Sequence, residues 1–217
     1  MVDGCETRRV HHSTVAVGSL GALREVLADD VVGPLTTKAD VVVLPTAAAF
    51  IGATQAAIAA AEVFDGLDVG IEALMVTDRA SSTEPYFVAR LANADLVVLC
   101  DGSALHARMV WRNSPVGEAI NAARSIVAIG AATSVLGEVM IDPRGGAPTI
   151  GLGYRKGVAF CAPASEEQME RTRSLLATDV ALVVLGPRGI LQCRDDEWRV
   201  VRTADVVVTK GFEVVTL

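Results

Sequence analysis

The amino-acid sequence predicts an α/β protein of three layers, with a mostly parallel central sheet between two layers of helices and a β-rich C-terminal extension. Three observations support this fold class. Short, continuously apolar runs recur between about residues 40 and 129, as expected for strands covered on both faces. Segments of helical character separate these runs, which is typical of βαβ units. Beyond about residue 158, short strands alternate with turn residues, which predicts an antiparallel edge or a small appended sheet.

The first half of the chain alternates strands and helices. An apolar run at 14–17 precedes a glycine-containing turn, and a helix is predicted to begin at about Ala22. The next predicted elements are, in order, a strand at 40–45, a helix at 53–64, a strand at 71–76, a helix at 84–92 and a strand at 95–100. Because helices connect these strands, we expect the strands to lie parallel in one sheet.

The second half keeps this alternation and then becomes rich in strands. Ser103 and Ser114 are predicted to cap two helices, the second with Pro115 in its first turn. The remaining predicted elements are a strand at 125–129, a helix after Gly130, a strand at 158–161, a helix at 165–176 and strands at 181–185, 189–192, 198–201, 206–208 and 213–217. Neither a repeat nor a low-complexity linker interrupts the chain, so one domain is predicted over residues 1–217.

The composition disfavours several classes of function. A formal net charge of −7 without a basic cluster argues against binding to nucleic acid or to an anionic membrane. No apolar stretch has the length of a transmembrane helix or a secretory signal, so no membrane association is expected. The four cysteines form no C-x-x-C pair and suit neither a zinc site nor a disulfide framework. We therefore expect a cytoplasmic protein with reduced thiols, no metal and no cofactor.

The carboxyl ends of the predicted parallel strands are the expected place for chemistry, because ligands of open α/β sheets bind there. Small residues follow the strand at 40–45, and an acidic, glycine-containing turn follows the strand at 95–100. The predicted pocket residues are Thr46, Cys100, Asp101, Gly102, Ser103, Gly130, Ala131 and Pro163.

Four segments at these places resemble the dipeptidase E/cyanophycinase family of serine peptidases. They are VVVLPTAAAF (41–50), LVVLCDGSALHARMVWRNSPVGEAI (96–120), SIVAIGAATSVLGEVM (125–140) and GLGYRKGVAFCAPASEEQMERTRSLL (151–176). The four follow the family's order, and the resemblance extends over nearly the whole chain. The resemblance implies a class I glutamine amidotransferase-like fold, a serine nucleophile in the third segment and a catalytic histidine in the fourth.

The residues that the resemblance implies for catalysis are missing from this chain. The family's nucleophile elbow reads roughly G-x-S-A-G-A, with serine on a strained strand-to-helix turn. Matching the residues at 135–138 puts Gly130 at the serine position and Ala131 after it, whereas matching Gly130 to the first glycine puts Ala132 there. Neither Gly130 nor Ala132 carries a nucleophile. The histidine that follows a proline in the family is Ala164, after Pro163.

The turn after the strand at 95–100 departs from the family as well. Where the family has Gly-Gly, this chain has Asp101-Gly102. A carboxylate there is expected to repel a substrate carboxylate or a developing oxyanion, unless it pairs with a cation. The positions of the nucleophile, the base and the pocket turn thus all depart from the family's pattern.

Three hypotheses of function follow from this pattern. The leading one is a catalytically inactive protein of this family that binds a small peptide-like ligand or a partner protein. The second is a hydrolase with relocated catalytic groups, using Cys100, Ser134 or His106 with Asp101, although a buried thiol, a helical hydroxyl and a packed histidine are the simpler interpretations. The third is a structural assembly subunit. Helices that flank a sheet often pair, so a homodimer is expected.

Overall fold

The centre of the protein is a seven-stranded sheet. The structure is a computed structural model that describes residues 13–28, 38–194, 197–203, 205–211 and 213–215. The strands of this sheet are β1 (Ser13–Val17), β2 (Ala39–Leu44), β3 (Val69–Ala73), β4 (Leu96–Leu99), β5 (Ser125–Ile129), β10 (Ile190–Arg194) and β11 (Glu197–Arg202). Their order is β11-β10-β1-β5-β4-β2-β3. The five strands from β1 to β3 run parallel to one another, and β10 and β11 add an antiparallel edge beside β1.

Helices cover both faces of this sheet. They are α1 (Leu20–Ala28), α2 (Ala53–Ala61), α3 (Pro85–Asn93), α4 (Ala104–Trp111) and α5 (Pro115–Ala122). Alternate residues of each strand point to opposite faces, so the sheet contributes to two cores. In β2, Val42 packs in one core with α3, α4 and α5, whereas Val41 and Val43 pack in the other with α1 and α2. The apolar runs of the sequence are strands that are buried on both sides.

Two smaller sheets follow the central strands. A hairpin is formed by β6 (Val139–Ile141) and β7 (Pro148–Ile150), after the short helix α6 (Ala131–Ser134). The second small sheet has the order β13-β12-β9-β8 and consists of β8 (Val158–Cys161), β9 (Ala181–Leu185), β12 (Val206–Lys210) and β13 (Glu213–Val214). The helix α7 (Glu166–Leu175) connects β8 with β9, which run parallel. The C-terminal third therefore supplies both an antiparallel edge and a separate sheet.

Several predicted elements have other bounds in the structure. The strand predicted at 71–76 is β3, which ends at Ala73, and the helix predicted at 53–64 is α2 followed by a 3-10 turn, Glu62–Phe64. The helix predicted after Gly130 lasts four residues. The hairpin of β6 and β7 was not predicted. The end of the strand predicted at 213–217 lies outside the described residues.

No helix within the described residues is both long enough and apolar enough to span a bilayer.

Arg90 of α3 bonds to side chains of β2 and β3, the two strands at one edge of the central sheet. Its guanidinium donates two hydrogen bonds of 2.9 Å to the Asp40 carboxylate and one of 2.6 Å to Glu72. The bonds from Arg90 lower the pKa of Asp40, and bonds from the Tyr86 hydroxyl and then from Arg90 lower the pKa of Glu72. Both carboxyl groups therefore favour the folded protein when they are ionised.

Replacing Arg90 with methionine is expected to lower the free energy of unfolding by about 1 kcal/mol near pH 7. Because both pKa values are depressed in the folded protein, the stabilisation is complete above the ordinary carboxyl values of about 4 and is lost as the pH falls through the folded values. Urea denaturation measures the free energy of unfolding of the wild type and of Arg90→Met. The difference between the two should become smaller as the pH is lowered from 7 to 3. Arg124→Met is the control, since its pair with Asp95 is longer, at 3.7 Å, and more exposed. An Arg90 effect that is unchanged at pH 3 would contradict this account.

Candidate functional site

Gly130 forms a strained turn between β5 and α6. Its backbone angles are φ 54° and ψ −124°, a conformation that residues with a Cβ atom rarely adopt. The Gly130 N–H donates a hydrogen bond of 2.8 Å to the Val17 carbonyl, which fixes the turn to the end of β1. A sharp strand-to-helix turn at the carboxyl edge of a parallel sheet is the geometry that presents a nucleophile in α/β hydrolases. Here the residue at that position has no side chain.

The carboxylate of Asp101 occupies the space in front of this turn. One of its oxygens, Oδ1, accepts hydrogen bonds of 2.7 Å from the N–H of Ala131 and 2.7 Å from the N–H of Gly102. Ala131 begins α6, so its N–H has no carbonyl partner within that helix. The two backbone amides together form an anion-binding corner, and the protein fills it with its own carboxylate.

The packing around Gly130 excludes a side chain. A Cβ atom added at this position would lie within 2.5 Å of both carboxylate oxygens of Asp101. A similar constraint applies to Gly102, which has a φ of 147° and whose Cβ would collide with the Ala47 carbonyl. A residue larger than glycine at position 130 therefore requires the Asp101 carboxylate to move out of this corner.

A cavity of about 620 Å³ opens beside this corner. Its wall includes the predicted residues Asp101, Gly102, Ser103, Gly130, Ala131, Pro163 and Ala164. The structure thus brings together residues from the ends of β4, β5 and β8, although they are far apart in sequence. A cavity of this volume is large enough for a small ligand.

Thr46 and Cys100 do not line this cavity, which corrects their prediction as pocket residues. The Thr46 side chain is fully buried, and its hydroxyl donates a hydrogen bond of 2.6 Å to the Val76 carbonyl. The Cys100 side chain points into the core beside α2, where its thiol lies 3.7 Å from the Ala56 carbonyl oxygen. Ala132 is also buried in the core, so Gly130 is the residue at the strained turn.

The other hydroxyl groups at the cavity bond to their own helix. Ser134 donates a hydrogen bond of 2.8 Å to the Ala131 carbonyl, and Thr133 donates one of 2.7 Å to the Gly130 carbonyl. Ser103 caps α4 by accepting a hydrogen bond of 3.3 Å from the His106 N–H. These hydroxyls therefore have structural partners.

His106 lies outside the cavity wall. Its side chain is buried, and ring atom Nε2 donates a hydrogen bond of 2.7 Å to the Thr77 carbonyl. The ring also packs edge-on against Phe50, with 4.5 Å between the ring centroids. No described residue accepts or donates a hydrogen bond at Nδ1. The structure places this histidine as a packing residue of α4.

The thiols near the carboxyl ends of the strands are poor nucleophiles. Burial, and then the charge of Asp101, raise the pKa of Cys100 to about 12. Burial also raises the pKa of Cys161, which lines the cavity, to about 11, although the charge of Arg173 acts in the opposite direction. A thiol is nucleophilic as the thiolate, so both side chains are expected to be unreactive near neutral pH.

Cys161 should react with iodoacetamide about a hundredfold more slowly at pH 8 than a free thiol of pKa near 8.5. The rate should rise about tenfold for each pH unit from pH 7 to 9.5, because the thiolate fraction grows in proportion over that range. Mass spectrometry of digested protein measures labelling at this residue, and Cys161→Ser is the control. Half-maximal labelling near pH 7 would contradict the raised pKa.

One wall of the cavity was missed at the level of sequence. The residues Asp142, Pro143 and Arg144 belong to the turn between β6 and β7, and Gln168 of α7 lies beside them. The run Asp142-Pro143-Arg144-Gly145-Gly146 is rich in turn-forming residues and could have indicated a hairpin. Its place beside Gly130 depends on tertiary packing, which no local pattern shows.

In the part of the chain that the structure describes, no three His, Cys, Asp or Glu side chains are grouped so as to hold a metal ion.

Comparison with known proteins shows the fold of this chain. No protein-family model and no curated protein matches it. The crystal structure of a peptidase from an acI-B1 Actinobacterium is similar, with a TM-score of 0.75 and 21% identity over 95% of this chain and 93% of that one. A Listeria monocytogenes EGD-e structure, named "Putative Peptidase E Protein", has a TM-score of 0.64 and 12% identity over 88% of this chain and 98% of that one. The chain therefore has a peptidase E-like α/β fold, which confirms the fold class predicted from the sequence.

Proposed function

We propose that this protein is a catalytically inactive relative of the peptidase E-like structures and that its cavity binds a small peptide-like ligand. The observation that carries the proposal is the turn at Gly130. The backbone keeps the strained conformation of a nucleophile-bearing turn, yet position 130 has no side chain and the Asp101 carboxylate occupies the space in front of it.

Peptide hydrolysis through a covalent intermediate requires three features, and the turn at Gly130 supplies none of them. It needs a nucleophile, a base within hydrogen-bond reach and free donors for the oxyanion. Gly130 supplies no nucleophile, and the Ala131 N–H already donates to Asp101. Ala164, at the position that the resemblance gives to the base, is an exposed alanine in the cavity wall.

The proposal is tested by incubating the purified protein with aspartyl dipeptides and with β-linked aspartyl peptides. We expect release of products at the rate of a blank without protein. The variant Gly145→Ala, which changes a glycine with open space around it, is the preparation control. Product release that copurifies with the protein and disappears in Ser134→Ala or Cys161→Ser would contradict the proposal.

Hydrolysis by relocated groups is the alternative, and the contacts of the candidate residues argue against it. Ser134 bonds within its helix and His106 lies outside the cavity wall. The Cys100 thiol lies in the core, and burial raises its pKa to about 12. A serine-directed fluorophosphonate should therefore label no residue of the native protein. Labelling at a single cavity residue that is lost in urea would favour the alternative.

We also propose a cytoplasmic homodimer. Cys100 and Cys161 carry free thiols, as expected in a reducing compartment. Phe50 and Ile51 are 80% and 78% exposed, and large apolar side chains at the surface often mark an interface. Light scattering should give twice the chain mass, and Phe50→Ser with Ile51→Ser should give a monomer. A monomeric wild-type protein at micromolar concentration would contradict the dimer.

A further inference from the structure

The charged side chains of the cavity are free of ion pairs with one another and with the rest of the described chain. The cavity wall contains two carboxylates, Asp101 and Asp142, and one guanidinium, Arg144. None of the three forms an ion pair within the described residues. The wall thus presents one more negative than positive charge to whatever enters.

The two oxygens of Asp101 have different surroundings. Oδ1 accepts the hydrogen bonds of 2.7 Å from the N–H groups of Gly102 and Ala131. Oδ2 accepts no hydrogen bond from a described residue, although an ionised carboxylate accepts about two at each oxygen. The side chain is exposed at the cavity, so the backbone amides hold the carboxylate in place while one oxygen stays available to a donor.

This arrangement reverses the charge preference of the corner. Backbone N–H groups at the start of a helix ordinarily attract an anion. Here the anion is part of the protein, and its negative charge opposes the approach of a second one. A cationic donor meets an acceptor whose position is already fixed, so little conformational freedom is lost on binding.

We infer that the cavity selects a ligand with a protonated amino group, which donates to Oδ2 of Asp101. The ligand class is a short peptide or amino-acid derivative with a free amino end, and a volume of about 620 Å³ is large enough to hold one. The inference rests on the proposed function, because an active peptidase would need the N–H groups of Gly102 and Ala131 for its oxyanion. Beyond the proposed function, the inference specifies the charge of the ligand and names Asp101 as the residue that recognises it.

Three dipeptide probes of nearly equal size test the inference. Alanyl-alanine amide carries one positive charge, N-acetyl-alanyl-alanine one negative charge, and N-acetyl-alanyl-alanine amide none. Dissociation constants from NMR titration of the ¹⁵N-labelled protein should be lowest for the cation and highest for the anion. Asp101→Asn keeps the shape and the acceptor for both amides, and it should weaken binding of the cation about tenfold while leaving the neutral probe unchanged.

Two further variants make the result specific to this carboxylate. Asp142→Asn removes the other negative charge of the wall and should change binding of the cation by less than about threefold. Asp101→Ala empties the corner and should make N-acetyl-alanyl-alanine bind more tightly than it binds the wild type. Equal binding of the three probes, no binding of any, or a larger effect of Asp142→Asn would overturn the inference. Chromatography of the same samples shows whether a probe is cleaved, which would contradict the proposed function independently of the charge preference.

Discussion

Replacing Gly130 with alanine is expected to lower the free energy of unfolding by about 3 kcal/mol. Two costs add. A residue with a Cβ is strained at a φ of 54°, and the new methyl group would lie within 2.5 Å of the Asp101 carboxylate oxygens. The methyl group fits only if the Asp101 carboxylate gives up its hydrogen bonds with the N–H groups of Gly102 and Ala131.

A double-mutant cycle separates these two costs. Asp101→Ala removes the carboxylate but keeps the backbone, so Gly130→Ala should cost about 1 to 2 kcal/mol less in that background. Urea denaturation of the four proteins measures the coupling. Gly145→Ala, which has open space and no left-handed φ, should cost less than about 1 kcal/mol. Additive effects of the two substitutions would show that Asp101 does not fill the space beside Gly130.

Replacing Trp111 with alanine should destabilise the protein by about 4 kcal/mol, the largest effect that we expect from one substitution. The indole is fully buried on the face of the sheet that α3, α4 and α5 cover. Its Nε1–H donates a hydrogen bond of 3.2 Å to the Thr46 hydroxyl, which in turn donates to the Val76 carbonyl. Truncation therefore leaves a large cavity and removes a buried hydrogen bond.

Two controls identify the origin of this effect. Trp111→Phe keeps most of the volume and should cost about 1 to 2 kcal/mol, for the lost bond and the imperfect fit. Trp198→Ala removes an indole that is only partly buried, beside Phe160, and should cost less than Trp111→Ala. Thermal and urea denaturation measure all three. A smaller loss for Trp111→Ala than for Trp198→Ala would contradict the assigned core.

Much of the fold could be predicted because the central strands are apolar on both faces. The run at 95–100 and the run at 125–129 correspond to β4 and β5 to within two residues. Prediction failed where tertiary contacts end an element. The helix after Gly130 stops at Ser134 because the chain then pairs elsewhere: Gly137 bridges to Arg155, and a Cβ at Gly137 would lie 2.5 Å from the Val158 carbonyl oxygen. Local periodicity contains no information on such a partner.

The sequence predicted where in the fold the site lies, but not which groups its side chains contact. The rule that ligands bind at the carboxyl ends of strands led to Asp101 and Gly130, and both line the cavity. The same rule wrongly selected Thr46 and Cys100, whose side chains turn into the core. From sequence, Asp101 was expected either to repel an anion or to need a cation as its partner. The structure gives it a partner of another kind, the N–H of Ala131, because β4 and β5 are neighbours in the sheet.

The hydrogen bond between Ala131 and Asp101, on which the filled corner depends, can be observed at the Ala131 amide. Its exchange with solvent and its proton chemical shift can be followed by NMR in the wild type, in Asp101→Asn and in Asp101→Ala. We predict a slowly exchanging, downfield amide proton in the first two proteins, because the asparagine carboxamide also supplies an acceptor. In Asp101→Ala the proton should shift upfield and exchange at least about tenfold faster. An Ala131 amide that Asp101→Ala leaves unchanged would contradict the assignment of Asp101 as the group that fills this corner.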